Sequence, residues 1–287
     1  MTNESPASAP PEARKALNSI LSLPDDAIDL GQASLLIARE EYPDLEVGRY
    51  LARLDEMAET VKSGMRGGEV FTTQVAHLNR VLFDEMGFRG NREEYYDPRN
   101  SFLNDVLDRR VGIPISLSTI YLEVGRRIGC PLDGVAFPGH FLVRFAGPIP
   151  KSEILVDPYN RGMLLTEEDC KRRLKETYKG QVKFRAEFLR RARNRDILER
   201  MLTNLKHIYH GQRDYHRALR IQQMLLCLKP EDPPTIRDRG LLYHRLACFG
   251  QAVGDIEWYL QAVPDAPDSA VLRERLERLR VLTPVMN

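Results

Sequence analysis

Three residues in the middle of this 287-residue chain have the types and the order of a nucleophile, a base and an orienting carboxylate. Ser116 stands in GIPISLSTIY, which has the pattern of a helix start, His140 in FPGHFLVRF and Asp157 in ILVDPYN. A helix N-terminus favours developing negative charge because its amide protons are unpaired. If the segments carrying His140 and Asp157 pair as strands, the carboxylate orients the imidazole toward that helix. The set predicts a hydrolase or acyltransferase acting on an amide or ester.

Each of these residues also has a structural interpretation. Serine is a common N-cap because its hydroxyl accepts a hydrogen bond from a backbone amide, and we favour this role for Ser116. His140 and Asp157 fit a structural hydrogen-bonded pair as well as a catalytic one, and Asp157 followed by proline is a common turn signal. Convergence of hydroxyl, imidazole and carboxylate in an open cleft would separate the two interpretations.

The elements predicted around these residues are those of an α+β protein. Apolar residues recur at three- and four-residue spacing up to about residue 90, and again over 116–128, which predicts helices. Alternating apolar residues over 135–145, followed by short apolar runs at 154–157 and 163–165, predict an antiparallel meander. We therefore expect a helical N-terminal region and then a core of one helix against an antiparallel sheet.

The C-terminal third of the chain repeats itself and carries only helical signals. Three pairs of identical residues are each separated by 34 positions: Tyr209 and Tyr243, Ala218 and Ala252, and Pro230 and Pro264. This is the period of a tetratricopeptide helix pair. A last helix over 272–282 is predicted to cap an all-α array, whose concave surface would receive a protein or peptide partner.

These patterns divide the chain into three parts. Residues 1–28 are predicted to be a disordered tail and lead-in, because the opening MTNESPASAPPEAR is polar and rich in proline, alanine and serine. Residues 29–190 are assigned to the core with its helical N-terminal part. Residues 191–287 are assigned to the repeats and their capping helix.

Composition and charge narrow the functional classes. The 42 lysines and arginines balance 41 aspartates and glutamates, so the overall field favours neither nucleic acid nor membrane. No run of about 18 apolar residues predicts a membrane span. The four cysteines are widely spaced, and His207 and His210 lack a third ligand, so we expect no cofactor and no metal. We expect a cytoplasmic protein.

Local charge is less even than the total. Residues 171–195 contain eleven basic side chains, whereas residues 25–60 contain ten acidic side chains against three basic ones. A basic segment of this kind can bind nucleic acid or an acidic protein. We favour an interdomain connector on which the acidic helical segment docks, fixing core and repeats together, and we do not favour a nucleic-acid partner.

The segments around the candidate site resemble the transglutaminase-like superfamily and, more narrowly, the SirB-type family, which joins such a core to a tetratricopeptide tail. The resemblance runs from about Asp29 to the C-terminus. It is carried by NSFLNDVLDRRVGIPISLSTIYLEVGRRIG, GVAFPGHFLVRF, LVDPYNRGMLL and LERMLTNLKHIYHGQRDYHRAL. It implies a papain-like core, and the family's name links its members to bacterial gene regulation without implying direct contact with DNA.

In active members of the superfamily a cysteine begins the core helix, and a histidine and an aspartate follow on neighbouring strands. The resemblance places His140 and Asp157 at the last two positions and Ser116 nearest the first, with Ser118 as a second candidate. Cys130 lies at the opposite end of the helix, where the dipole raises a thiol pKa. A serine hydroxyl is too weak an acid to ionise as a cysteine does, so we favour an interaction or regulatory protein over a Ser-His-Asp hydrolase.

Overall fold

The structure is a computed structural model that describes residues 11–146 and 154–282. The chain divides into two compact units. One unit is Ser22–Met201 and contains Ser116, His140 and Asp157, and the other joins Met1–Leu21 to Leu202–Asn287. The division lies within a helix, eleven positions beyond the predicted boundary after residue 190.

Part of the segment predicted to be an N-terminal tail is helical. Residues from Pro11 onward form helix α1 (Pro11–Leu21), which packs against the later helix Tyr215–Leu228 of the same unit. Ala13 and Leu17 are fully buried in this contact region. The prediction of a disordered lead-in is therefore wrong for α1, because apolar residues hidden among polar ones form one helical face. Residues 1–10 of that prediction lie outside the described residues.

Six α-helices among the described residues build most of the unit Ser22–Met201. In chain order they are α2 (Leu30–Ala38), α3 (Val47–Ser63), α4 (Phe71–Asn79), α5 (Leu103–Arg109), α6 (Pro114–Arg127) and, after the sheet, α7 (Glu167–Thr177). Every residue of α6 as far as Gly125 is buried, because α2, α3 and α5 pack around it. This central helix carries Ser116.

The strands follow the predicted meander. A short parallel pair, β1 (Arg89–Gly90) and β2 (Val111–Gly112), precedes α6. The main sheet is antiparallel in the order in which its strands occur: β3 (Leu132–Val135), β4 (Leu142–Phe145), β5 (Leu155–Asp157) and β6 (Met163–Leu165). Its buried residues include Val135, Leu142 and Leu155, which pack with Leu174 of α7. The predicted α+β core is confirmed.

The other unit contains the repeats. Helix α8 (Asn194–Gly211) crosses the division, and α9 (Tyr215–Leu228), α10 (Pro233–Arg245), α11 (Phe249–Ala262) and α12 (Ser269–Leu282) follow it. The predicted capping helix is α12. Its Leu272, Leu276 and Leu279 are buried against residues of α11.

Backbone angles repeat with the same 34-residue period as the sequence. Arg213 and Ala247 both adopt left-handed φ, 59° and 58°. Lys229 and Val263, which precede the two prolines, both have φ −137°, with ψ 79° and 73°. A residue before proline is excluded from the helical region, so each proline ends a helix at the same point. The predicted tetratricopeptide period is thus present in the conformation.

Candidate functional site

Ser116 lies in the first turn of α6, at the third helical position. The N-cap residue is Ile113, whose backbone N–H donates to Ser116 Oγ at 3.1 Å. The serine hydroxyl donates to the backbone carbonyl of Asn100 at 2.6 Å, and the residue is fully buried. The prediction of an N-cap serine is wrong in position, although the side chain still satisfies a backbone amide at this helix start.

The carbonyl that accepts the Ser116 proton belongs to a loop, residues 91–100, held by its own asparagines. Asn100 Nδ2 donates to the carbonyl of Glu94 at 2.6 Å, and Asn91 Nδ2 donates to Asn100 Oδ1 at 3.1 Å. Asn100 is fully buried. Because the loop is cross-linked in this way, the backbone fixes the direction in which the serine hydroxyl points.

His140 and Asp157 are brought together by neighbouring strands. His140 comes just before β4 and Asp157 ends β5, and the imidazole Nε2 lies 2.9 Å from Asp157 Oδ1. The ring of Tyr159 meets the imidazole edge-on, with centroids 5.8 Å apart. The strand pairing expected from the sequence therefore places the carboxylate where it can orient the imidazole.

Asp157 is fully buried and is held by more than His140. Arg173 Nη1 of α7 donates to Oδ2 at 2.5 Å, and Asn160 Nδ2 donates to the same oxygen at 2.8 Å. Burial by itself raises the pKa of Asp157, but the hydrogen bonds from His140 and Asn160 and the charge of Arg173 outweigh it and lower that pKa to about 2. The carboxylate is thus ionised at neutral pH.

The ionised carboxylate determines which imidazole nitrogen could act as a base. Nε2 must carry a proton to donate to Asp157, so in the neutral ring Nδ1 is the unprotonated atom. Within the described residues, no hydroxyl or thiol is hydrogen-bonded to His140. The Ser116 hydroxyl donates its hydrogen bond to the backbone carbonyl of Asn100, and Ser118 Oγ lies 3.5 Å from the carbonyl of Phe141. The base and the orienter are therefore joined to each other but not to a nucleophile.

A further residue supports the turn after Asp157. Asn79 lies where α4 passes into the π-helix Arg80–Glu85. Its Oδ1 accepts from Tyr121 Oη of α6 at 3.0 Å, and its Nδ2 donates to the carbonyl of Gly162 at 2.9 Å. Gly162 has φ 72°, and a β-carbon there would collide with the Asn79 side chain. Asn79 thus links the central helix to the loop that follows Asp157.

The cysteines and the paired histidines lie apart from this arrangement. Burial raises the pKa of the Cys130 thiol to about 12 and that of Cys170 to about 11, so neither is a thiolate at neutral pH. His207 and His210 are exposed on α8, as expected for solvated histidines. No group of three or more candidate metal ligands occurs within the described residues.

The predicted contact between acidic and basic segments is present for particular residues. Arg191 forms an ion pair with Asp26 and a second one, at 3.2 Å, with Asp133. The Asp25 carboxylate accepts from the backbone amides of Asn194 and Arg195, at 2.9 and 3.0 Å. Much of the remaining basic charge is paired locally, so the segment contains fewer free cations than its sequence suggests.

Sequence reasoning missed the residues that hold Asp157 from outside its own strand. Arg173 stands within the basic run 171–195 and has no signal of its own, and Asn79 has no sequence signal either. Asn160 did have one, because an aspartate followed by proline and, three positions on, by asparagine is typical of a turn closed by the aspartate side chain. Contacts between separate helices have no such local signature.

Comparison with known proteins gives two matches in sequence order. Residues 48–203 match the transglutaminase-like superfamily, and residues 205–277 match the tetratricopeptide repeat. No solved structure matches this chain. Within the described residues, no helix combines the length and apolar character needed to cross a membrane.

Several curated relatives match most of the chain. A UPF0162 protein of Xylella fastidiosa is 40% identical over 262 residues, which is 90% of this chain and 92% of the relative. The UPF0162 protein YchA of Escherichia coli is 30% identical over 242 residues, covering 84% of this chain and 88% of its own. Protein SirB1 of Salmonella typhimurium is 30% identical over 241 residues, with the same coverage.

Proposed function

Since the chain belongs to the transglutaminase-like superfamily, carries a tetratricopeptide match and is similar over most of its length to UPF0162 and SirB1 proteins, we propose that it acts as a protein-interaction or regulatory factor. In this proposal the core binds a partner segment and does not cleave it. Tetratricopeptide repeats generally mediate contacts between proteins. The four free cysteines support a reducing compartment, the cytoplasm, as the place of action.

One observation carries this proposal: the hydroxyl of Ser116 is fully buried and donates its proton to the Asn100 carbonyl. A catalytic serine must instead hydrogen-bond to its base and face the substrate. The serine proton is held by a loop that Asn91 and Asn100 stabilise. Freeing it would leave a buried carbonyl unpaired, which costs about 1–3 kcal/mol.

The repeat surface offers a defined place to test for a partner. A groove of about 310 Å³ is lined by His244 of α10 and by Val271, Arg275 and Leu279 of α12. Val271 is exposed within this groove, and Val281 is exposed on the same helix outside it. The two valines therefore form a matched pair for substitution.

The test combines in-cell cross-linking with quantitative mass spectrometry in a bacterium that encodes the protein. We expect a specific set of cross-linked proteins that Val271→Asp reduces and Val281→Asp leaves unchanged. Because both substitutions put a carboxylate on the same helix, a difference between them reports the groove and not stability. Equal cross-linking in all three proteins would exclude this groove from partner binding, and the absence of any specific cross-link would contradict the interaction proposal.

A Ser-His-Asp hydrolase or acyltransferase is the second candidate, and the His140–Asp157 hydrogen bond favours it. Because the ionised Asp157 accepts a hydrogen bond from His140 Nε2, the Nδ1 atom is free to act as a base. Ser118 Oγ reaches the carbonyl of Phe141, the residue next to His140. Labelling with a fluorophosphonate probe separates the candidates. We expect no labelling of the wild type, whereas labelling lost in His140→Ala and in either Ser116→Ala or Ser118→Ala would establish the hydrolase.

A further inference from the structure

Arg200 is a half-buried cation without an acidic partner. It lies in the first half of α8, where its guanidinium carbon stacks over the Phe141 ring, 5.9 Å from the centroid. Nη1 donates to the backbone carbonyl of Phe137 at 3.2 Å. Over residues 11–146 and 154–282, no carboxylate forms an ion pair with it. One of its five N–H donors is used, and the stacking fixes the plane of the others.

Two tyrosines, Tyr95 and Tyr178, lie near enough to this guanidinium to interact with its charge. Arg200 and Tyr178 both reach the segment that leads to His140, Arg200 through the Phe137 carbonyl. Tyr178 Oη reaches the loop before His140, since a β-carbon on Gly139 would lie 3.0 Å from it. Neither phenolic hydroxyl has a hydrogen-bond partner in the part of the chain that the structure describes. Burial raises the pKa of Tyr95, so its hydroxyl keeps its proton and remains a donor at neutral pH.

A partly buried guanidinium whose N–H groups lack acceptors destabilises the protein unless a ligand accepts those hydrogen bonds. Burial lowers the pKa of Arg200, which is the electrostatic cost of a cation that no acidic side chain compensates. The planar fork of a guanidinium matches the two oxygens of a carboxylate, and hydroxyl donors beside it can bind the same group. The guanidinium presents only donors and each phenol adds an O–H donor, a combination that suits an anion.

We propose that Arg200, Tyr95 and Tyr178 form a binding site for a carboxylate of a peptide partner. This inference rests on the proposed function, because it names the chemistry that the core would recognise in a bound segment. The site adjoins the loop that leads to His140, whose imidazole meets the ring of Tyr159 edge-on.

The surroundings favour a peptide carboxylate over a polyanion. Glu93 and Glu94 are exposed between Arg92 and Tyr95, so this stretch has a net negative charge and repels a chain of phosphates more strongly than a single carboxylate. Tyr96 packs edge-on against Tyr95, with centroids 5.3 Å apart, and its side chain is 73% exposed. An exposed aromatic ring beside a cation is typical of surfaces that bind peptide side chains.

The experiment is a nuclear magnetic resonance titration of the full chain labelled with ¹⁵N in arginine. The Arg200 Nε–H signal is assigned by its loss in Arg200→Lys. The probes are N-acetylglycinate, which represents a C-terminal carboxylate, and N-acetylaspartate N-methylamide, which represents a side-chain carboxylate. N-acetylglycinamide, in the same concentration of sodium chloride, is the neutral control.

We expect the Arg200 signal to shift and saturate with one or both carboxylates and not with the amide. Tyr95→Phe and Tyr178→Phe remove only hydroxyls, and each should weaken binding severalfold. The signal of Arg161, an exposed arginine paired with Asp84, is the matched control and should not saturate. The probe that binds more tightly identifies the source of the carboxylate.

An Arg200 signal that fails to saturate, or that responds equally to the amide, would overturn the inference. That outcome leaves the proposed function standing if cross-linking at the repeats still detects a partner. A saturating Arg200 signal in a protein with no cross-linked partner would instead retain the carboxylate site and contradict the wider proposal. The two failures are therefore distinguishable.

Discussion

The Nε2 atom of His140 lies 2.9 Å from Oδ1 of Asp157, across two adjacent strands of the antiparallel sheet. Asp157 is fully buried, and its other oxygen accepts from Arg173 and Asn160. A buried carboxylate with this many donors is stabilised in its ionised form. The pair therefore supports the fold at neutral pH, whether or not it takes part in chemistry.

The first prediction concerns the pH dependence of stability. An aspartate titrates near 3.9 in an unfolded chain, and the pKa of Asp157 in the folded protein is about 2. A lowered folded-state pKa means that the stabilisation is complete above about pH 4 and is lost as the pH falls toward about 2. It amounts to about 2–3 kcal/mol. Asp157→Asn should lower the free energy of unfolding by about that amount at pH 7.

Urea denaturation at several pH values checks this prediction. The difference between the wild type and Asp157→Asn should narrow from pH 4 down to the lowest pH at which the proteins remain folded. Asp44, an exposed residue of the same unit, is the control, and its substitution by asparagine should have a much smaller effect at pH 7. A difference that stays constant over this range would mean that the ionised form of Asp157 gains nothing in the folded protein.

The second prediction separates a structural from a catalytic Ser116. Ser116→Ala removes the bond to the Asn100 carbonyl and the acceptor for the Ile113 amide, so it should destabilise the protein by about 1–2 kcal/mol. Ser118→Ala should cost less, because its contact with the Phe141 carbonyl is long at 3.5 Å. Chemical denaturation measures both. A Ser116→Ala variant as stable as the wild type would contradict a structural role for Ser116.

The third prediction concerns the close approach of Asn79 and Gly162. Gly162→Ala places a β-carbon against Asn79 and forces alanine into φ 72°, so it should cost about 2 kcal/mol or more. Gly180→Ala is the matched control, since Gly180 has φ 78° and nothing within 4 Å of an added β-carbon. It should cost only about 1 kcal/mol.

A double-mutant cycle shows how these two residues depend on each other. Asn79→Ala alone loses the bonds to Tyr121 and Gly162, at about 1–3 kcal/mol. Combined with Gly162→Ala it also removes the collision, so the double variant should be more stable than the sum of the single losses predicts. Strict additivity in thermal or urea unfolding would show that the added methyl group does not meet Asn79.

The fourth prediction concerns charge in the segment that follows the sheet. Arg191 pairs with Asp26 and Asp133, whereas its neighbour Arg190 pairs with Glu187 at 3.6 Å and is mostly exposed. Arg191→Glu should therefore destabilise the protein by about 1 kcal/mol or more, because it opposes two carboxylates, and Arg190→Glu by less than about 0.5 kcal/mol. Melting temperatures at low and high salt test this. Equal effects of the two reversals would contradict the pairing.

Local sequence patterns were sufficient to predict the helices that repeat and the strands whose apolar residues alternate. The 34-residue period predicted the helix pairs, and the same period appears in the left-handed residues Arg213 and Ala247, because proline and turn positions constrain the backbone directly. Alternation of apolar residues predicted the strands that bring His140 to Asp157. The α1 helix was missed because its apolar face is short and lies in a segment of disorder-like composition.

The sequence by itself determined the family, the order of helices and strands, the repeats and the candidate residues Ser116, His140 and Asp157. Only the tertiary structure decided which of them meet: Asp157 bonds to His140 and Arg173, while Ser116 bonds to Asn100. The reason is physical. Helix and strand formation depends on residues a few positions apart, whereas a buried hydroxyl or carboxylate takes whatever partner folding places within about 3 Å, and distant segments supply that partner.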